Sequence, residues 1–251
     1  MAAAYDTYDY PSYWEGREYE HFSEVLAIRS LLDRIPKIST ILEIGAGFGR
    51  LTSIYKFRAK KIILTDPSAK LLKLARETNQ DKKIKVIQAS VENLKDRVKS
   101  RSADLIICVR VLHHIKDLDS AIETATKILK KKGYFILEFA NKRHAKAAVS
   151  EILKGNITYP LDISPKDIRS RKSKKAKTLP FINYHPDLVF EKLEKHGFKI
   201  LEKRSVSNVR SSFIKRLVPT EVLLFIENLL QKPLSVISFG PSIFVLAQKK
   251  G

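Results

Sequence analysis

At 251 residues and 28.7 kDa, the chain is long enough for one substantial core and short for two independent ones. Its 44% hydrophobic and 29% charged content suits a globular protein better than a disordered chain, and no apolar stretch approaches the roughly 18 residues of a membrane-spanning helix. A formal charge of +20, from 47 Lys and Arg against 27 Asp and Glu, favours polyanionic partners such as RNA, an anionic membrane surface or a phosphate-bearing small molecule, although it serves solubility equally well.

In chain order, the first segment, YDTYDYPSYWEGREYEH, concentrates the rings of Tyr5, Tyr8, Tyr10, Tyr13, Trp14 and Tyr19. The opening residues lack a basic start followed by an apolar run, so a cytoplasmic protein is expected. A helix follows from about Phe22 to Ile35, with Val25, Ile28, Leu32 and Ile35 on one face and Pro36 as its stop. From Thr40, β-branched runs alternate with helical patterns, which predicts βαβ units and a parallel sheet covered on both faces. The strands read as ILEI (41 to 44), KIILT (61 to 65), IKVIQ (84 to 88), ADLIICV (103 to 109) and GYFILEF (133 to 139). Cys108, the single cysteine, reads as a small buried side chain inside its apolar run.

The helical pattern DLDSAIETATKILKK is expected to end at Gly133. Beyond the fifth strand, a first insert (about 141–185) holds RSRKSKKAK (169 to 177), read as an exposed basic loop. HPDLVFEKLEKHGF resumes a helix ended by Gly197, and FKILEKRSV (198 to 206) and SIFVLAQKK (242 to 250) read as two final strands. Between them a second insert (about 208–240) contains PTEVLLFIENLLQKP, an amphipathic helix bounded by Pro219 and Pro233. The organisation expected is residues 1–39 as an aromatic segment and helix over a ligand crevice, and 40–251 as one domain with two inserts.

The string ILEIGAGFGRLT is a strand, a glycine-rich turn and a helix in succession. Glycine is needed where the backbone takes positive φ or meets a ligand with no Cβ between, and a helix N-terminus presents free N–H groups. Gly45, Gly47 and Gly49 give G-x-G-x-G, whereas a dinucleotide fingerprint wants its third glycine at position 50, which is Arg50. That spacing disfavours a nicotinamide or flavin site. Asp66, ending the second strand, is placed either to accept both hydroxyls of a ribose or to cap the following helix.

With LTDPSAKLLKLARE and ADLIICVRVLHHIKDLDSAIETATKILKKKGYFILE, that string resembles the class I S-adenosylmethionine-dependent methyltransferases, in the branch that includes quinone-biosynthesis and small-molecule enzymes. The resemblance implies a doubly wound, mostly parallel, seven-stranded Rossmann-like α/β sheet with helices on both faces, SIFVLAQKK as the antiparallel strand, and inserts near the substrate side. It implies S-adenosylmethionine as cofactor and no metal. By the same resemblance Glu43 orders the glycine loop and reaches the methionine amino group, and Gly45, Ala46, Gly47 and Gly49 form the cradle. Asp66 would bind the ribose and Pro67 cover the adenine. Ser90 stands where many relatives carry an Asp for the adenine amine, leaving Ser90 or the Val91 backbone for that contact. Val109 and Arg110 match the wall near the methyl group.

Methyl transfer from a sulfonium is an in-line displacement that requires alignment and, for an acidic hydroxyl or activated carbon, a proton acceptor. His113 and His114 stand where one would act, or pack as ordinary helix-start residues. Tyr13, Trp14 and Tyr19 would close over a substrate and Arg17 pair with the methionine carboxylate, or the rings simply staple the N-terminus to the core. The methyl acceptor expected is a small, lipophilic or phosphate-bearing metabolite, with RNA as the alternative and a noncatalytic binding module as the third reading. The VLLFIENLL helix suits a lid, a dimer face, a membrane-surface anchor or plain core packing.

Overall fold

A computed structural model describes residues 4–6, 9–176 and 178–251; Tyr8 and Lys177 lie outside the described residues. The strands are β1 (Thr40–Ile44), β2 (Lys61–Asp66), β3 (Ile84–Gln88), β4 (Ala103–Cys108), β5 (Leu129–Ala140), β6 (Lys166–Asp167), β7 (Ile182–Asn183), β8 (Phe198–Val206) and β9 (Ser242–Lys249). The helices are α1 (Glu18–Leu32), α2 (Thr52–Tyr55), α3 (Ala69–Thr78), α4 (Leu94–Arg97), α5 (Leu118–Ile128), α6 (Ala145–Leu153), α7 (Arg171–Lys175), α8 (Pro186–Lys195), α9 (Ser212–Leu217) and α10 (Thr220–Val236).

Among the described residues, seven strands form one sheet in the order β3-β2-β1-β4-β5-β9-β8, and β6 pairs only with β7. β9 runs antiparallel between β5 and β8, while the ladders from β3 to β5 are parallel, as the resemblance implies. Strand residues alternate between two cores. Leu42, Ile44, Ile106 and Cys108 pack with Leu118, Ile122, Val189 and Leu193 of α5 and α8. Ile41, Ile62, Leu64, Leu105 and Ile107 pack with Val25, Ile28, Leu31 and Leu32 of α1 and with Tyr55 and Ala75. Burial on both faces explains why these strands read as continuous apolar runs. The order reverses between β1 and β4, and the carboxyl ends there open a crevice.

Four boundaries differ from the sequence reading. The first helix begins at Glu18, four residues before Phe22, and ends at Leu32, with turns carrying the chain to Pro36. α5 ends at Ile128 rather than Gly133, because Leu129 already pairs with Ala103; the chain turns at Lys132, whose φ is +57°, and a β-bulge absorbs the extra residues. The basic run is not wholly loop: Ser170 accepts the Ser173 N–H and caps the short α7. α10 continues through Pro233 to Val236; Pro233 is exposed, so the N–H it lacks falls on the solvent side of the helix.

Candidate functional site

The glycine turn joins β1 to α2 at the crevice. Gly45 has φ of +70°, and a Cβ there would stand 2.1 Å from Val111 Cγ2, an overlap the stiff, branched and partly buried Val111 side chain does not relieve cheaply. Gly47 has φ of +55°, and its Cβ would point toward the Tyr10 ring, 3.7 Å away. The turn is braced from β2: the Ala46 N–H donates to the Thr65 carbonyl (2.9 Å) and the Gly47 N–H to Asp66 Oδ2 (2.9 Å). Asp66 Oδ1 accepts the Ser68 N–H (2.8 Å). Ser68, not Asp66, caps α3, its hydroxyl accepting the Leu71 N–H (3.1 Å). Asp66 therefore joins two turns while its side chain forms part of a cavity wall, and burial pushes its pKa up to about 6.

That cavity, of about 280 Å³, lies over the carboxyl ends of β1, β2 and β4. Gly45, Gly47, Asp66, Pro67, Ser90, Val91 and Arg110 line it, together with Tyr5, Tyr10, Leu71, His114, Ile115 and Leu179. The Ser90 N–H is spent on Asn93 Oδ1 (2.9 Å), which leaves the Ser90 hydroxyl and the Glu92 carboxylate as the side-chain polar groups on that wall. Glu43 lies behind the turn rather than on the wall. It is 2% exposed, accepts the Tyr55 hydroxyl, and burial pushes its pKa up to about 7. Ala46 and Val109 are buried in the α1 core, and Gly49, with φ of +80°, faces Asn79 and Thr52.

The two histidines separate. His113 is 6% exposed, its ring 4.0 Å from that of His114 and 4.5 Å from that of Phe181, and burial drives its pKa well down. His114 is on the cavity wall. Its Nδ1 contacts the Pro180 carbonyl (2.8 Å), which only accepts, so Nδ1 carries the proton. Nε2 then accepts from the Tyr5 hydroxyl (2.6 Å), and burial lowers the His114 pKa, keeping the ring neutral.

Of the N-terminal rings, Tyr5 and Tyr10 reach the cavity, while Tyr13 and Trp14 back them: Tyr13 stacks on Tyr10 (5.9 Å) and Trp14 meets it edge-on (6.4 Å). Tyr19 turns away, donating to Glu227 (2.6 Å). Arg17 is exposed, 4.3 Å over the Tyr13 ring. Arg110 takes a left-handed conformation (φ +62°), held by its N–H donating to Glu138 Oε2 (2.8 Å), and its Nε donates to Glu24 Oε1 (2.6 Å). Arg50, 3.6 Å over the Trp14 ring, donates to Glu24 Oε2 (2.5 Å). Burial opposes the Glu24 charge, but Arg110 and Arg50 together hold its carboxyl below the usual range.

Sequence reasoning missed Glu24, Arg50 and Leu179. Glu24 carried a signal: an acid among Ala27, Ile28 and Leu31, which share its buried helix face, needs a cationic partner. Leu179 carried none, since it sits in the first insert and reaches the cavity only through the tertiary fold.

Residues 42–137 match a family model described as a methyltransferase domain. The chain is 30% identical over 112 residues to a ubiquinone biosynthesis O-methyltransferase of Pelagibacter ubique, covering 44% of this chain and 45% of that protein. It is 26% identical over 183 residues to a tRNA 5-carboxymethoxyuridine methyltransferase of Escherichia coli O157:H7, covering 71% of this chain and 66% of that protein. Relatives at 30% identity or more are matched over half of their length or less. A crystal structure of an S-adenosylmethionine-dependent methyltransferase from Mesorhizobium loti superposes with a TM-score of 0.62 at 18% identity, over 90% of this chain and 98% of that one, which fixes the fold.

Proposed function

On the methyltransferase-domain match over residues 42–137 and the shared fold, we propose that this chain is a class I S-adenosylmethionine-dependent methyltransferase that methylates a small, lipophilic or phosphate-bearing metabolite in the cytoplasm. The observation that carries the reading is one cavity lined both by the glycine turn and Asp66 and by Tyr5, Ile115, Leu179 and His114. The residues present fit the cofactor: Gly45 and Gly47 line the cavity with bare backbone, and the Asp66 carboxylate is on the wall with capacity for hydroxyl donors beyond its two backbone bonds.

S-adenosylmethionine supplies an activated methyl group. The chain's own contribution is alignment and exclusion of water. Gly45, Ala46, Gly47 and Gly49 would let the backbone approach, Asp66 would accept the ribose hydroxyls, and Pro67 with Ser90 and Val91 would hold the adenine. Glu43 stiffens the turn through Tyr55, Val109 backs the wall, and Arg110, rather than the exposed Arg17, would face an anionic group of the ligand. Residues 1–39 would serve as the cover, with Tyr5 and Tyr10 on the wall and Tyr13 and Trp14 behind them. His114 is the proton acceptor we favour over His113, since its Nε2 is on the cavity wall and already accepts a hydrogen bond from the Tyr5 phenol.

The test is a panel of acceptors assayed with labelled methyl donor, alongside calorimetry of cofactor binding. Asp66→Ala should weaken that binding by about 1 to 3 kcal/mol through the lost, partly buried hydrogen bonds. Absence of any cofactor binding would leave only a noncatalytic module. A second reading, methylation of RNA, is favoured by the tRNA-modifying relative, whose match extends beyond the domain shared with the others, and by the +20 charge. It requires RNA binding that weakens steeply with salt, and salt-insensitive or absent binding removes it.

A further inference from the structure

α10 is inside out. The face it turns to the protein holds Glu227 (0% exposed), Gln231 (1%) and Ser235 (4%), with Leu223 the only apolar residue buried to that degree along it. The face it turns to solvent holds Val222, Phe225, Ile226, Leu229 and Val236, at the three- and four-residue spacing of one helical stripe. Phe225 is 67% and Val236 75% exposed. The short α9 beside it in sequence adds Phe213 (66%) and Leu217 (65%).

The orientation is locked from within. Glu227 accepts the Tyr19 hydroxyl (2.6 Å), the Ser207 N–H (2.8 Å) and the Asn208 N–H (3.1 Å), and Gln231 donates to the Ser23 carbonyl (2.8 Å). Rotating α10 to bury its apolar stripe would strand every one of these buried groups. The exposed stripe is therefore a fixed surface of the folded chain, about 25 Å long for a helix of this length.

We propose that α9 and α10 dock this protein flat on an anionic lipid bilayer. No helix of the described residues is long and apolar enough to cross a membrane, so the mode is interfacial. Exposed Arg210, Arg216 and Lys232 accompany the stripe against a single exposed acid, Glu221; Lys232 stays 67% exposed although it lies 3.9 Å from Glu202, and Lys215 is tied to Glu20. A cationic edge around an apolar ridge complements lipid headgroups. A second copy fits worse, because it would bring the same cations and a second +20 charge against this face.

The test is co-sedimentation of the full chain with vesicles of phosphatidylglycerol and phosphatidylcholine, compared with phosphatidylcholine alone, and light scattering of the vesicle-free protein. Binding to the anionic vesicles is expected, falling at least about tenfold in Phe225→Ser with Leu229→Ser, because each side chain loses its apolar burial in lipid. Val222→Ser with Val236→Ser, at the stripe's two ends, should act the same way. Since all four side chains are exposed, thermal melts of the variants should match the parent. Arg216→Glu with Lys232→Glu should weaken binding and its salt dependence. The proposal is overturned if the parent ignores anionic vesicles, or if the serine variants bind them as well as the parent does. A concentration-dependent dimer abolished by Phe225→Ser would also overturn it, assigning the stripe to a second copy.

Discussion

Glu24 is the residue on which the N-terminal helix and the cavity wall meet. Its carboxylate, 1% exposed, receives Arg50 on one oxygen and Arg110 on the other. Glu24→Gln should destabilise the fold by about 3 kcal/mol, because two guanidiniums would be left facing each other in a partly buried site; urea denaturation measures it. Asp66 and Glu43 carry a pH signature. Burial raises them from 3.8 and 4.5 to about 6 and about 7. A carboxyl raised in the fold favours the fold while protonated, so that contribution is full below the unfolded values and is lost as pH rises through 6 and 7. The cofactor-free protein should thus lose stability between about pH 4 and 7, and Asp66→Asn should flatten the decline. A positively charged sulfonium or amino group nearby favours the ionised carboxyls, so cofactor affinity should rise over the same interval. At His114, alanine should lower kcat by about 10² to 10⁴ if Nε2 takes the proton, whereas His113→Ala should act on stability, since its ring is packed against Phe181. None of this pairing was visible in the sequence, where two adjacent histidines look equivalent.

At the scale of elements, the strand runs were legible because burial on both faces leaves an unbroken apolar signature, and β3 and β8 coincide with their reading. Helix ends were less legible. α5 stops at Ile128 because a ladder bond to Ala103 competes with the next helical turn, and pairing with a distant strand leaves no local mark. α10 was read correctly as amphipathic, but its sense was reversed by tertiary contacts: the stripe that spacing would send inward faces out. Glu227 holds it so, and Glu227→Ala should cost about 2 to 3 kcal/mol by orphaning the Ser207 and Asn208 N–H groups, measured as a lower urea midpoint. At the start of α3, Ser68→Ala should remove about 1 kcal/mol through the lost cap to the Leu71 N–H.

For the whole molecule, binding of S-adenosylmethionine couples to global stability. At one hundred times its Kd it should stabilise by about 2.7 kcal/mol, seen as a rise in melting temperature that Asp66→Ala reduces. What the sequence determined by itself was the scaffold: the βαβ rhythm, the glycine turn from Gly45 to Gly49, Asp66 at the end of β2, and the positive field. Each is local, since period, φ and charge are properties of a few neighbouring residues. What only the tertiary structure decided was which groups share a space: Tyr5 with His114 across 109 positions, Arg110 with Glu24 across 86, Leu179 on the cavity wall, and the outward apolar face of α10. Those meetings depend on how the sheet and helices close on one another, and on which buried polar groups must be satisfied when they do.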